Sequence, residues 1–390
     1  MTLGRLETAP WLVRPEMQAI FAALDGSRRR TRAVGGAVRD TLLGRPAGND
    51  VDLATELLPE AVMARAQAAG IAAHPTGIAH GTVTLVLGAA LAEVTTLRQD
   101  VKTDGRHAEV AFGTDWVEDA RRRDFTLNAL YCAANGTLYD PLGGLDDLRA
   151  GIVRFIGSPE RRIAEDGLRV FRFFRFSASH GDQRFEPEGL AACAEAVGRL
   201  DHLSRERIGH EMIRMLGLPG IATTLQTMAG LALLSLSPQA LAGLRAYEAL
   251  GGRNVATRLA LVGGDGLDDL QAAWRLSNPL MSEARAIRAA AALLARDRIG
   301  EAAYRQGQAA VEGLALAAAQ EGWSRDRLAE AARMLAGLVV PPFPINGTDL
   351  AETGMAQGPA LGQELRRLEQ LWIDSGFALG KPELLAEARL

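Results

Sequence analysis

A chain of 390 residues exceeds the size at which one hydrophobic core keeps growing, so two or more domains are expected, and 48% apolar residues supply their cores. Two cysteines, Cys132 and Cys193, form neither a disulfide framework nor a zinc site; they read as buried free thiols and imply a reducing cytoplasm. Charges at Arg5, Glu7, Arg14 and Glu16 exclude a signal peptide, and breakers such as Pro219, Gly220 and Pro238 turn the uncharged residues 215–244 into paired buried helices rather than a membrane span.

In chain order, residues 15–24 predict a short amphipathic helix closed by Gly26. Ala33-Val34, Gly35-Gly36 and the segment up to Gly44 then read as a strand, a tight turn and a short helix. Helix-opening amides at such a turn suit a triphosphate, with Arg39 adding charge one turn later. Thirteen residues on, Asp50-Val51-Asp52-Leu53 alternates polar and apolar. On a strand, that period of two places both carboxylates on one face. Two converging carboxylates repel unless a cation neutralises them, and Mg²⁺ takes one or two carboxylates while leaving positions for substrate phosphates. Phosphoryl transfer is the chemistry this pattern fits.

Residues 81–87 and 92–97 predict a hairpin across Gly88-Ala89-Ala90, with Glu93 on its second strand. Glu93 reads either as a third catalytic carboxylate or as a structural hydrogen-bonding group. Residues 98–107, which include Asp100, Asp104, Gly105 and Arg106, are polar without an apolar period and predict a mobile loop. Arginines cluster at 28–32, at 121–123 and from Arg154 to Arg175, while the total charge is only −4. Each cluster is either a solvated face or a phosphate track. Beyond about residue 145 strand signals fade, and helical periodicity dominates, as at 164–178, 207–216, 283–297 and 325–338. A helix over 163–176 would bury Ile163, Phe171 and Phe174 and step Asp166, Arg169 and Arg172 along its other side. Ser204 is a helix cap by position.

The string of an apolar residue, Gly35-Gly36, thirteen residues and Asp-Val-Asp-Leu resembles the signature of the DNA polymerase beta-like nucleotidyltransferase superfamily. Gly35-Gly36-Ala37-Val38-Arg39-Asp40, Arg121-Arg122-Arg123-Asp124-Phe125-Thr126-Leu127-Asn128, Glu165-Asp166-Gly167-Leu168-Arg169 and Ser204-Arg205-Glu206-Arg207 are together similar to class II tRNA nucleotidyltransferases. That family includes bacterial poly(A) polymerases. Asp140-Pro141-Leu142-Gly143-Gly144 and, near the C-terminus, Gly347-Thr348-Asp349-Leu350 extend the resemblance over nearly the whole chain.

The resemblance implies an α+β fold: a polymerase beta-like head with a mixed sheet and flanking helices, followed by an all-helical neck, body and tail. The expected boundaries are 1–145 for the head, 146–215 for the neck, 216–305 for the body and 306–390 for the tail. It further implies Mg²⁺-dependent addition of C, C and A to the tRNA 3′ end from CTP and ATP, with no membrane and no obligatory protein partner. Asp50, Asp52 and Glu93 take the catalytic roles, the two aspartates as metal ligands. Gly36, Arg39, Arg123, Asp124, Asn128, Arg172 and Arg175 hold phosphates and sugar, while Asp166 and Arg169 read the base. Residues Asp100, Asp104 and Arg106 belong to the family's flexible loop, which is full length here, so terminal A addition is expected. Within the family the alternatives are a poly(A) polymerase or an enzyme adding only CC; outside it, a non-catalytic RNA-binding scaffold.

Overall fold

The computed structural model describes residues 4–48, 50–100 and 110–389. The chain divides into two compact units, residues 1–203 and 204–390. The first unit is built on a seven-stranded mixed sheet. Its strands are β1 (Thr31–Val34), β2 (Asp50–Thr55), β3 (Ala72–Gly77), β4 (Thr82–Leu87) and β5 (Ala90–Thr96), joined after a two-stranded ribbon of β6 (Arg98–Asp100) and β7 (Val110–Phe112) by β8 (Tyr131–Cys132) and β9 (Leu138–Tyr139). The order across the sheet is β3-β4-β5-β2-β1-β8-β9. Among the described strands only β2 and β5 pair in parallel.

Helices α1 (Pro10–Val13), α2 (Pro15–Ala23), α3 (Gly36–Leu42), α4 (Pro59–Ala68), α5 (Trp116–Arg121), α6 (Gly144–Ala150), α7 (Pro159–Glu165) and α8 (Arg169–His180) belong to the same unit. One core cluster gathers Val34, Ala54, Leu97, Trp116, Ala120, Ala129, Tyr131 and Ile156. A second apolar layer is aromatic: Phe125 stands 4.9 Å from Phe155 and 5.5 Å from Phe176, and Phe173 stacks on Phe155 at 5.4 Å. These rings anchor α8 against the segment that follows α5. Each fully buried ring is worth about 2 to 3 kcal/mol of apolar burial.

Three expectations need adjustment. The hairpin turn is only Gly88-Ala89, because Ala90 already pairs with Leu87. The segment expected to open a loop at Arg98 instead continues as β6, with Arg98 opposite Phe112 and Asp100 opposite Val110; the apolar residues that make this ribbon a pair lie on its returning strand. The single helix expected over 163–176 is two helices. Asp166 is extended (φ −151°, ψ 103°) between α7 and α8, and its Oδ1 accepts from the Leu168 backbone N–H at 3.1 Å. A short side chain that satisfies a downstream amide offers the backbone an alternative to helix, and the helical period alone does not reveal it.

Residues 204–390 are helical throughout their described regular structure, 3₁₀ turns included. Ser204 caps the helix Arg205–Leu216, its hydroxyl accepting from the Arg207 N–H. Residues 215–244 contain the helices Ala222–Gly230 and the start of Pro238–Ala249, with Leu225, Met228 and Leu244 fully buried, as the breakers require. Gly209 lets the first helix of this unit close on Leu267–Trp274: a Cβ there would lie 2.0 Å from the Trp274 carbonyl oxygen. Arg258, 1% exposed, donates to the Leu216, Leu218 and Gly252 carbonyls and so satisfies a helix C-terminus inside the core. Near the C-terminus Ile345, Leu350, Leu368, Trp372, Ile373 and Leu384 form a separate core. Both cysteines are buried and free, and burial pushes the Cys132 thiol up to about 12. No helix among the described residues is long and apolar enough to cross a membrane.

Candidate active site

The pattern of β2 decides where its carboxylates go. Val51 and Leu53 are each 1% exposed, whereas Asp50 and Asp52 lie on the opposite, open face. Pairing with β5 places Asp52 beside Glu93, so the two lie on neighbouring parallel strands in register, about 4.8 Å apart along the hydrogen-bonding direction. Burial, then Glu93, then the opposing pull of Arg123, then Asp50 act on the Asp52 carboxyl, and the net result is a proton affinity above the ordinary range. Asp50, Asp52 and Glu93 therefore share one face of the sheet, with the repulsion on Asp52 only partly offset by Arg123.

Beside them lies the glycine turn. Gly35 ends β1 and caps α3 with φ +72°, a left-handed value that glycine adopts without strain. A Cβ on Gly35 would stand 3.8 Å from Asp52 Oδ2, which shows how closely the turn and the carboxylate approach. Gly36 opens α3, and a Cβ there would stand 3.9 Å from Arg39 Nη2.

A buried polar lattice continues from this point. Arg39 donates bidentately to Asp40 at 2.8 and 3.0 Å and to Asn128 Oδ1 at 2.6 Å. Asn128 Nδ2 donates to Asp124 Oδ1 at 3.0 Å, and Arg172 Nε donates to Asp124 Oδ2 at 2.8 Å. Arg123 is held from behind: it donates to Asp119 at 3.1 Å and to Tyr131 Oη at 3.2 Å, and Tyr131 donates to Asp119 at 2.9 Å. Asp119 is fully buried; burial alone would raise its carboxyl, but Arg123, Arg122 and Tyr131 outweigh that and hold it below the usual carboxylate range.

Asp166 and Arg169, the pair expected to read the base, are placed differently. Arg169 donates to Glu165 at 2.7 Å and to the Arg162 carbonyl at 2.8 Å, while Asp166 bends back over the first turn of α8. Arg172 and Arg175 follow on α8, with guanidiniums 5.4 and 4.2 Å from the Phe176 ring centroid. The structure thus brings Asp50, Asp52 and Glu93 to one face of the sheet, with the Gly35-Gly36 turn and Arg123 near Asp52, and joins Arg39, Asp124, Asn128 and Arg172 by hydrogen bonds. Asp100 lies on β6, and Asp104 and Arg106 fall outside the described residues.

Sequence reasoning missed Asp119, Tyr131, Glu165, Asp40 and His180. Asp119 had a signal, since it precedes Arg123 by four residues on a helix-length segment. Among the described residues no group of three or more His, Cys, Asp or Glu side chains forms a ready-made metal cluster.

Residues 31–154 match the poly(A) polymerase head domain family, a span that runs from β1 past Asn128 and stops before Asp166. Over 95% of its length the chain is 32% identical to the Homo sapiens mitochondrial CCA tRNA nucleotidyltransferase 1, of which it covers 91%. The chain belongs to the CCA tRNA nucleotidyltransferase family. It is also 31% identical to the CCA-adding enzyme of Limosilactobacillus fermentum, with 98% of each chain covered. Among solved structures, the Bacillus stearothermophilus CCA-adding enzyme in complex with CTP superposes with a TM-score of 0.76 at 30% identity, covering 96% of this chain and 97% of that one. The mixed sheet followed by helices is the fold of this family.

Proposed function

We propose that this family member adds C, C and A to the 3′ end of tRNA from CTP and ATP, releasing pyrophosphate at each step. The carrying observation is the register that sets Asp50, Asp52 and Glu93 beside the Gly35 turn. A divalent cation fits this donor set, because burial and then the neighbouring carboxylates raise the proton affinity of Asp52, and two carboxylates leave Mg²⁺ its positions for phosphate and water. When bound, Mg²⁺ supplies activation of the terminal 3′-hydroxyl and neutralisation of the triphosphate.

The chain's own residues do the positioning that remains. Asp50 and Asp52 hold the ions; Glu93 either joins them or holds Asp52 in orientation. Gly36, Arg123, Arg172 and Arg175 serve the phosphates and sugar, with Asp124 and Asn128 toward the ribose and Arg39, expected to add charge at the phosphates, instead buried behind Asn128. Asp166 and Arg169 read the base, a carboxylate accepting from an exocyclic amine and a guanidinium donating to ring acceptors. In this reading the head is 1–145 and the neck 146–215, while the body (216–305) and tail (306–390) grip the tRNA acceptor and T arms by backbone shape. The cytoplasm is the proposed location, in keeping with two unoxidised buried thiols.

The match of residues 31–154 to a poly(A) polymerase head keeps polyadenylation as the second reading. Incubation of tRNA lacking CCA with CTP, with ATP and with both, followed by 3′-end sequencing, separates them. Ends in CCA and no longer are expected; runs of A favour polyadenylation, and ends in CC show a CC-adding enzyme. Asp52→Asn should slow both additions by about a thousandfold or more while tRNA affinity is kept, since the lost stabilisation belongs to the transition state. Normal turnover in that variant at saturating Mg²⁺ would remove Asp52 from the metal site.

A further inference from the structure

Arg39 faces inward. It is 8% exposed, its Nε and Nη2 are committed to Asp40, and Nη1 to Asn128. Asp40 in turn receives a third hydrogen bond at 3.2 Å from His180 Nε2, on the last turn of α8. Ionised Asp40 accepts only, so His180 carries a proton on Nε2, while Nδ1 lies 2.6 Å from the Ser179 hydroxyl, which is also within 2.9 Å of the Arg175 carbonyl. The imidazole is buried and held down to about 4, which keeps it neutral at physiological pH. Phe176 backs the assembly, with the Arg39, Arg172 and Arg175 guanidiniums 5.1, 5.4 and 4.2 Å from its ring centroid.

The geometry points to Asp40 and His180 as positioning residues of the nucleotide subsite: His180 fixes Asp40, Asp40 fixes Arg39, and Arg39 fixes Asn128 and, through it, Asp124 and Arg172. Arg39 on this reading serves the nucleotide through Asn128 rather than by touching phosphate. The chain of bonds also ties the helix of the glycine turn, α3, to the helix that carries Arg172, α8. Charge-assisted, bidentate contacts of this kind restrict a guanidinium to one orientation, and by analogy with the partners behind metal ligands, whose loss costs about 10- to 100-fold, removal is expected to cost about tenfold here. The inference rests on the proposed nucleotide roles of Asn128, Asp124 and Arg172.

The test is steady-state kinetics on the full chain with tRNA lacking CCA, together with calorimetric binding of CTP alone. His180→Leu should raise KM for CTP and ATP by about tenfold, with a smaller change in kcat and KM for tRNA kept. His180→Gln, whose amide N–H still donates to Asp40, should restore most of the nucleotide affinity, and Asp40→Asn should resemble His180→Leu. If His180→Leu fails to fold, the near-isosteric Asp40→Asn supplies the same reading. Unchanged nucleotide KM and CTP affinity in the folded variants would overturn the inference, as would equal impairment in His180→Gln and His180→Leu. A wild-type chain that extends no tRNA would instead sink the proposed activity, and CTP binding by the variants would still judge the positioning role.

Discussion

The Asp40–His180 contact also carries a linkage to pH. Burial pushes the His180 imidazole down, with the Asp40 bond opposing and Arg39 and Arg45 adding to the effect, from 6.5 to about 4. Between those two values the unfolded chain binds the extra proton, so the stability that His180 contributes is full above 6.5 and is lost as pH falls through about 4. The Asp40 carboxyl behaves as a second stage. Burial would raise it, but hydrogen bonds from His180 and Arg39 outweigh burial and hold it at about 2, so its contribution is present above 3.8 and lost as pH falls through about 2. A shift of the size seen at His180 corresponds to about 3 kcal/mol at most. His180→Gln is expected to flatten the denaturation midpoint between pH 6.5 and 4 and to leave the steeper loss below pH 4. A variant whose midpoint still tracks pH as the wild type does across that window would show that His180 is protonated in the folded state.

At the scale of elements, the broken helix makes its own prediction. Asp166 is held by the turn that starts α8, its Oδ1 accepting from the Leu168 N–H. Asp166→Ala removes a cap-like bond worth about 1 kcal/mol as well as the acceptor proposed for the incoming base. Asp166→Ala and Arg169→Ala are expected to weaken CTP and ATP use and to let UTP or GTP compete, because the wrong base no longer leaves buried groups unpaired. Single-nucleotide incorporation with all four triphosphates checks this; unaltered selectivity in both variants would place the template elsewhere. The β2 strand was legible because one strict alternation fixed which face carried Asp50 and Asp52, and the turn at Gly35 because two adjacent glycines leave few other readings. The break at Asp166 was not legible, since helical spacing continues through it and only the local side-chain bond reveals it. Nor was the partnership of Asp40 with His180, 140 residues apart, because a lone histidine carries no spacing signal for a contact made by tertiary packing.

At the scale of the whole molecule, the arginine clusters turn out to be largely balanced by the chain's own acids. Arg30 pairs with Asp25 and Glu56; Arg121 pairs with Glu118, and Arg122 and Arg123 with Asp119. Arg154 pairs with Asp147, Arg161, Arg162 and Arg169 share Glu165, and Arg172 pairs with Asp124. A guanidinium already paired with a carboxylate releases fewer counterions when it meets a phosphate, so counting arginines overstates the electrostatic grip on RNA. The overall charge of −4 fits this internal neutralisation. Binding of tRNA should accordingly weaken with salt along a shallow line, a slope set by a handful of phosphates rather than by every clustered arginine. Equilibrium binding of tRNA from 50 to 300 mM salt measures it. A log–log slope of about −9 or steeper, which ten or more freely available cations would give, would mean that these ion pairs open on the RNA and that the clusters are phosphate tracks after all. A shallow slope with retained affinity would instead assign recognition to the shape of the paired arms, in which hydrogen bonds to ribose and backbone replace charge.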